Sequence, residues 1–172
     1  MSFAVVGWLK VFTKDSYKQI LLKSPSYSQE EKGMEIVAWC IMTNHVHLVF
    51  RSINGIHPAN LLGDFKRFTS KAMIKAIQEN PEECNRNLWL DVCRKEAIKS
   101  HNVSDYQFWR HDNKPIELWS NAVIHEKITY VHRNPVAAGL VYKPEAYQYS
   151  SAIDYADGKG LLKGIRIFQF LD

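Results

Sequence analysis

Cysteine is scarce in this sequence. Among 172 residues there are three, Cys40, Cys84 and Cys93, an odd number with no CxxC spacing. That excludes a disulfide framework and a cysteine-built zinc site, and the three read as reduced thiols. Long apolar runs are missing too: nothing approaches the roughly 18 consecutive apolar residues of a membrane-spanning helix. The opening run MSFAVVGWLKVF has neither the basic leader nor the small-residue cleavage site of a secretory signal, so the expectation is a cytoplasmic protein with no membrane partner. A strong charge of one sign is also lacking. Lys and Arg number 22 against 18 Asp and Glu, a net charge of +4, which permits a polyanionic partner without requiring one. No internal repeat, low-complexity tract or linker interrupts the chain. What remains, 46% hydrophobic and 23% charged, is the composition of an ordinary globular protein long enough to bury its own core.

Hydrophobic periodicity divides the chain into a short list of elements. Phe3 to Trp8 is an apolar, β-prone run and reads as a first strand. Thr13 is placed to cap a helix carrying Tyr17, Ile20 and Leu21, which Pro25 is expected to end or kink. Gly33 closes that segment before a second strand, Glu35 to Met42. Thr43 and Asn44 form a turn-like break, followed by a third strand, His45 to Arg51. From Pro58 the pattern turns helical, with Leu61, Phe65, Phe68, Ala72 and Ala76 as the expected buried stripe and Lys66, Arg67, Ser70, Lys71 and Lys75 opposite. Residues 79–105 carry no assignable pattern. Tyr106 to Arg110 reads as a fourth strand, and Asn121 to Arg133 as a helix burying Ile124, Ile128 and Val131, ended by Pro135. This order predicts an α+β fold, a sandwich in which an antiparallel sheet is backed by helices.

Two constellations carry chemistry. Side chains alternate along a strand, so His45 and His47 project from one face while Val46 points to the other. Paired neutral imidazoles are natural metal ligands, although two histidines on a half-exposed strand are the more ordinary reading of the triplet taken alone. On the late helix, Tyr130 and Asn134 are one turn apart and, with Lys127, flank the apolar stripe. Taken alone, Tyr130 is an amphipathic residue at a core boundary. His111, His125 and His132 read as surface or helix-flank histidines. Gly158-Lys159-Gly160 lacks the spacing of a phosphate loop and reads as a turn. Phe108-Trp109-Arg110 could stack on bases but fits the core better.

Together these segments resemble a known family. Ala38-Trp39-Cys40-Ile41-Met42-Thr43-Asn44-His45-Val46-His47-Leu48-Val49 is similar to the His-hydrophobic-His motif region of the single-tyrosine (HUH-superfamily) transposases. Tyr130-Val131-His132-Arg133-Asn134-Pro135-Val136-Ala137-Ala138-Gly139-Leu140-Val141 is similar to their tyrosine helix and its exit. Asp64 to Lys71 and Tyr147 to Ser151 resemble the REP-associated branch. The resemblance runs from about residue 3 to about residue 162. It implies a ferredoxin-like core and a single transposase-like domain over residues 1–172, with 143–172 as a C-terminal extension. It further implies Tyr130 as nucleophile, His45 and His47 as ligands of Mg or Mn, and Asn134 as the third ligand. The implied partner is single-stranded or hairpin DNA, with Lys66, Arg67, Lys71 and Lys127 as candidates for contacts to its backbone. Homodimer and monomer both stay open.

The chemistry so implied is nicking and rejoining of DNA. A phenol is a weak nucleophile while protonated, and the scissile phosphate carries charge that must be stabilised as it is attacked. Attack by Tyr130 would leave a 5′-phosphotyrosine and release a 3′-hydroxyl, conserving bond energy for rejoining. Two rival readings accompany it: a metal-dependent phosphoesterase in which Tyr130 is structural, and a domesticated, non-catalytic module that binds single strands or hairpins.

Overall fold

The fold, a computed structural model, describes residues 1–100, 105–111 and 115–169, with only the backbone of Ser26 and Tyr27. Residues 101–104 of the unassigned stretch and 170–172 of the C-terminal extension lie outside the described residues.

At the centre is a three-stranded antiparallel sheet ordered β1-β3-β2, with β1 at Ser2–Ala4, β2 at Met34–Ile41 and β3 at His45–Ser52. Four helices surround it: α1 (Asp15–Lys32), α2 (Pro58–Glu79), α3 (Arg86–Ile98) and α4 (Asn121–Ala137). The architecture is the expected α+β arrangement of an antiparallel sheet and packed helices. No helix among the described residues is long and apolar enough to cross a membrane.

Strand alternation gives the sheet two unlike faces. Phe3, Ile36, Trp39, Ile41, Val46 and Leu48 point to one side and join Tyr17, Leu21, Leu61, Phe65, Met73, Ile77 and Trp89 in the main core. Val37, Ala38, Cys40, Met42 and Val49 point to the other and, among the described residues, meet Ile128 and Val131 of α4 as fully buried partners, with Ile124, Tyr147 and Tyr155 partly buried beside them. A bulge between Ile36 and Ala38 lets β2 place the consecutive Val37 and Ala38 in this second cluster.

Several elements differ from their sequence expectations. The first strand stops at Ala4, because Gly7 and Trp8 turn to positive φ (61° and 54°) and form a 3₁₀ turn over Val6–Trp8. The first helix is preceded by Lys14, while the Thr13 hydroxyl donates to the Lys10 carbonyl instead of capping. Pro25 does not end α1: the helix runs on to Lys32, and Gly33 terminates it as expected. An interior proline costs a helix about 3 kcal/mol. Here Leu21, Leu22, Ser24, Pro25 and Ser28 are buried, so packing outweighs that cost. In α2 the buried row is Leu61, Phe65, Thr69, Met73 and Ile77, while Phe68 is 56% exposed. Thr69 can be buried because its hydroxyl donates to the Phe65 carbonyl at 2.8 Å and accepts from Trp109 Nε1 at 2.9 Å. Within 79–105 lies α3, whose approach is fastened by a buried Glu83 carboxylate. It accepts from Tyr17 at 3.2 Å, pairs with Lys14 at 2.8 Å and receives the Asn85 N–H at 3.2 Å.

Tyr106 to Arg110 is not a regular strand. It runs beside the exit of β1 through one antiparallel bridge, Val5 to Trp109, with bonds from Val6 N–H to Phe108 and from Arg110 N–H to Ala4, both 2.9 Å. Pro135 likewise does not end α4, which extends to Ala137. Its true stop is Gly139 at φ 70°, where Gly139 N–H bonds to the Val136 carbonyl and Leu140 N–H to that of Pro135. These are the two bonds of a Schellman motif, in which glycine tolerates the left-handed turn.

Candidate active site

Where α4 leaves the second face of the sheet, a polar cluster replaces the apolar one. His45 and His47 both point to this face, their neighbours across β1 being Ala4 and Ser2. Their rings meet edge to face at 4.7 Å, and the two Nε2 atoms are 3.0 Å apart. Each outer nitrogen is held. His45 Nδ1 lies 2.7 Å from Asn44 Oδ1, and the other end of that amide donates to the Trp8 carbonyl at 3.3 Å. The amide oxygen therefore faces the ring, His45 carries its proton on Nδ1, and its Nε2 lone pair points at His47. His47 Nδ1 bonds to the Ser2 hydroxyl at 2.6 Å.

Burial sets the charge of the pair. Desolvation lowers the pKa of His45 below its ordinary 6.5. His47, only 3% exposed, is pushed down to about 3 by burial, with His45 and the amino terminus adding repulsion and a bond to the Asn134 side chain opposing them. Both imidazoles are neutral near pH 7, the form that donates a lone pair to a cation.

The late helix delivers the other two groups. Tyr130 is 55% exposed, and its ring stands edge-on to His47 at 5.4 Å and 88°. The phenol is thus neither in the packed interior nor remote from the imidazoles. Asn134, one turn on, donates its Nδ2 to the Tyr130 carbonyl at 2.7 Å, which leaves its amide oxygen for His47. The reverse side of α4 is anchored by His132, whose Nε2 lies 2.9 Å from the Ser151 hydroxyl; that hydroxyl also accepts the Trp39 N–H at 2.9 Å. Tyr130 and Asn134 are therefore aimed by packing on the far side of their own helix.

The basic candidates are dispersed. Lys127 is on α4 one turn before Tyr130, paired with Glu126 at 2.7 Å, and its charge helps lower the pKa of the Met1 amino group. Lys66 points to the β1 edge, donating to the Arg110 carbonyl at 2.8 Å. Arg67 and Lys71 line a groove of about 500 Å³ between α1 and α2, with Ser24, Ser28 and an ion pair of Lys32 with Asp64. That groove belongs to the opposite helix layer from the imidazoles. Among the described residues no group of three or more His, Cys, Asp or Glu side chains could hold a metal.

Sequence reasoning missed Asn44, Ser2 and Trp8 as parts of this site. Asn44 adjoins the motif and was legible as a turn residue, not as the partner of its neighbour's ring. Ser2 reaches His47 only through the β1–β3 register, for which the sequence holds no local signal.

Known proteins bear on this arrangement in two ways. A solved structure of a REP-associated tyrosine transposase bound to a REP hairpin superposes with a TM-score of 0.62 at 15% identity, covering 99% of this chain and 85% of that one. At that identity it supports the fold. No curated protein matches significantly. Residues 8–104, more than half of the sequence and including both histidines and their strand, match the family described as "Transposase IS200 like". The chain belongs to the IS200-like family of DNA transposases.

Proposed function

We propose that this transposase nicks and rejoins single-stranded or hairpin DNA through a covalent link to Tyr130, acting as one transposase-like domain. The observation that carries the reading is the edge-to-face contact between the exposed Tyr130 ring and the buried His47 ring, which joins a nucleophile and a ligand pair from two separate elements.

The side chains present fit a divalent cation. Two ligands at right angles, each about 2.1 Å from one ion, lie about 3.0 Å apart. The His45 and His47 Nε2 atoms are separated by that distance, with the His45 tautomer already fixed. The Asn134 amide oxygen supplies a third donor. Two nitrogens and an amide oxygen, completed by phosphate oxygens, suit Mn well and Mg acceptably. When bound, such an ion polarises the scissile phosphate and stabilises charge developing on it.

The protein's own residues do the rest. Tyr130 offers its phenol oxygen to the phosphorus; the P–O bond to the 3′ oxygen breaks, and the 5′-phosphate stays on the tyrosine. The phenol gives up its proton as the new O–P bond forms, and the departing 3′ oxygen takes one up from solvent and leaves as a hydroxyl. In the reverse sense, a 3′-hydroxyl attacks the phosphotyrosine and the phenol is regenerated. Asn134 orients the helix end, and Lys127, one turn from Tyr130, offers a charge to the DNA backbone.

The test is a denaturing gel with a labelled hairpin oligonucleotide bearing single-stranded arms, in Mn or Mg. The wild type forms a covalent protein–DNA adduct and Tyr130→Phe forms none. A Tyr130→Phe protein that keeps most turnover makes this a phosphoesterase, and cleavage supported by zinc alone contradicts the proposed ion.

A further inference from the structure

The imidazoles belong to a longer aromatic row. Tyr130 meets His47 at 5.4 Å, His47 meets His45 at 4.7 Å, and His45 meets Trp8 at 6.4 Å, each pair edge to face. The histidines in the middle are buried or half-buried, whereas the two ends, Tyr130 and Trp8, are 55% and 54% exposed. One end is accounted for by the proposed reaction. The other is not.

Trp8 is unusual in its backbone as well as in its place. Its φ is 54°, in the left-handed region that a bulky side chain rarely adopts. Gly7 before it, at φ 61°, bears the same turn without penalty. Burial of the ring does not explain the strain: Trp39, Trp89 and Trp109 are 3%, 6% and 3% exposed, whereas Trp8, like Trp119 at 82%, stays open. The conformation is nevertheless held firmly. Trp8 N–H donates to Val5 at 3.1 Å, and its carbonyl accepts from Asn44, the residue whose other amide end fixes the His45 tautomer. One asparagine thus sets both the imidazole and the backbone that presents the indole. Over the indole lies the Arg110 guanidinium, 5.0 Å from the ring centroid.

Strained backbone that exposes an aromatic ring beside a reactive cluster is the arrangement of a ligand-contacting residue. We propose that Trp8 is a stacking platform for an unpaired DNA base flanking the phosphate held at the Tyr130–imidazole site, with Arg110 backing the indole. This inference rests on the strand-transfer reading for the position of the phosphate. Stacking on an indole suits any base, so the platform positions the strand without reading its sequence. Loss of one base–aromatic stack is expected to weaken binding roughly 5- to 150-fold.

The experiment uses the full chain carrying Tyr130→Phe, which binds without cleaving, and a pool of hairpin oligonucleotides with randomised single-stranded arms. Tight binders are recovered, and an abasic site is moved through the arm of one of them while affinity is measured by fluorescence anisotropy. With Trp8 present, one arm position is expected to lose about tenfold when made abasic. With Trp8→Gly added, intact DNA binds about tenfold more weakly and the abasic site at that position costs nothing further. Trp8→Phe restores most of the affinity. Because glycine accepts the left-handed turn, the Trp8→Gly protein should melt no lower than its parent.

A melting temperature that falls together with affinity at every arm position would make the ring structural and overturn the platform. So would equal abasic penalties with and without Trp8, or a pool from which nothing binds. Failure of the strand-transfer reading shows separately, as the absence of a covalent adduct when the wild type meets the same recovered DNA.

Discussion

The two faces of the central sheet are built from the same three strands and serve opposite ends. On one, Phe3, Trp39, Val46 and Leu48 meet three helices and lie in a closed apolar core. On the other, α4 covers only part of the strands, and beyond its edge Ser2, His45 and His47 form a polar patch that Tyr130 overhangs. Alternation along β3 makes this division automatic: Val46 and Leu48 go to the core and His45 and His47 to the site. On the proposed function, rigidity comes from the first face and chemistry from the second, so substitutions on the two should separate stability from activity.

The sharpest break comes from the core face. Phe65→Ala removes a 3%-exposed ring in contact with Phe3 and should lower unfolding stability by about 4 kcal/mol, read from urea midpoints. Adduct formation per folded molecule should not change. An acid titration sharpens the comparison from the other side. Burial pushes His132 down to about 4 from 6.5, so the unfolded chain takes up this proton at a higher pH than the folded one. The stability is intact above about pH 6.5 and declines as pH falls toward 4, a loss on the order of 3 kcal/mol. His132→Gln should remove that share of the loss from the wild-type profile when both are measured in chelator, leaving the slope that the buried His47 and His45 contribute. On the chemical face, His45→Ala should slow adduct formation on the order of 100-fold, with a melting temperature at neutral pH no lower than wild type. The smallest effect returns to the core. Thr69→Val leaves the buried Trp109 Nε1 without its acceptor and should cost about 1–3 kcal/mol, with activity per folded molecule preserved.

The same division governs how much the sequence revealed. Strands β2 and β3, α2 and α4 were legible because their residues are either apolar at regular spacing or distinctive in type, and the His45/His47 pair follows from alternation alone. Misreadings cluster where tertiary packing overrides a local signal. Pro25 and Pro135 lie inside helices because burial, and a Schellman stop at Gly139, decide where those helices end. Phe68 belongs to the expected buried stripe yet is exposed, and Thr69, absent from that stripe, is buried, since nothing local announces that Trp109 will satisfy its hydroxyl. Positive φ at Trp8 shortened the first strand, and the same turn presents its ring beside His45. Of the four basic residues expected to contact DNA, only Lys127 lies beside the tyrosine; Arg67 and Lys71 line the groove in the opposite layer.

One measurement tests the account at its centre. The covalent adduct formed with hairpin DNA and Mn is digested with trypsin and nuclease, and the modified peptide is sequenced by mass spectrometry. The account predicts a nucleotide on Tyr130 alone, although Tyr142, a short distance along the chain, is fully exposed. A nucleotide on Tyr142, or on any tyrosine away from the imidazole pair, would contradict it.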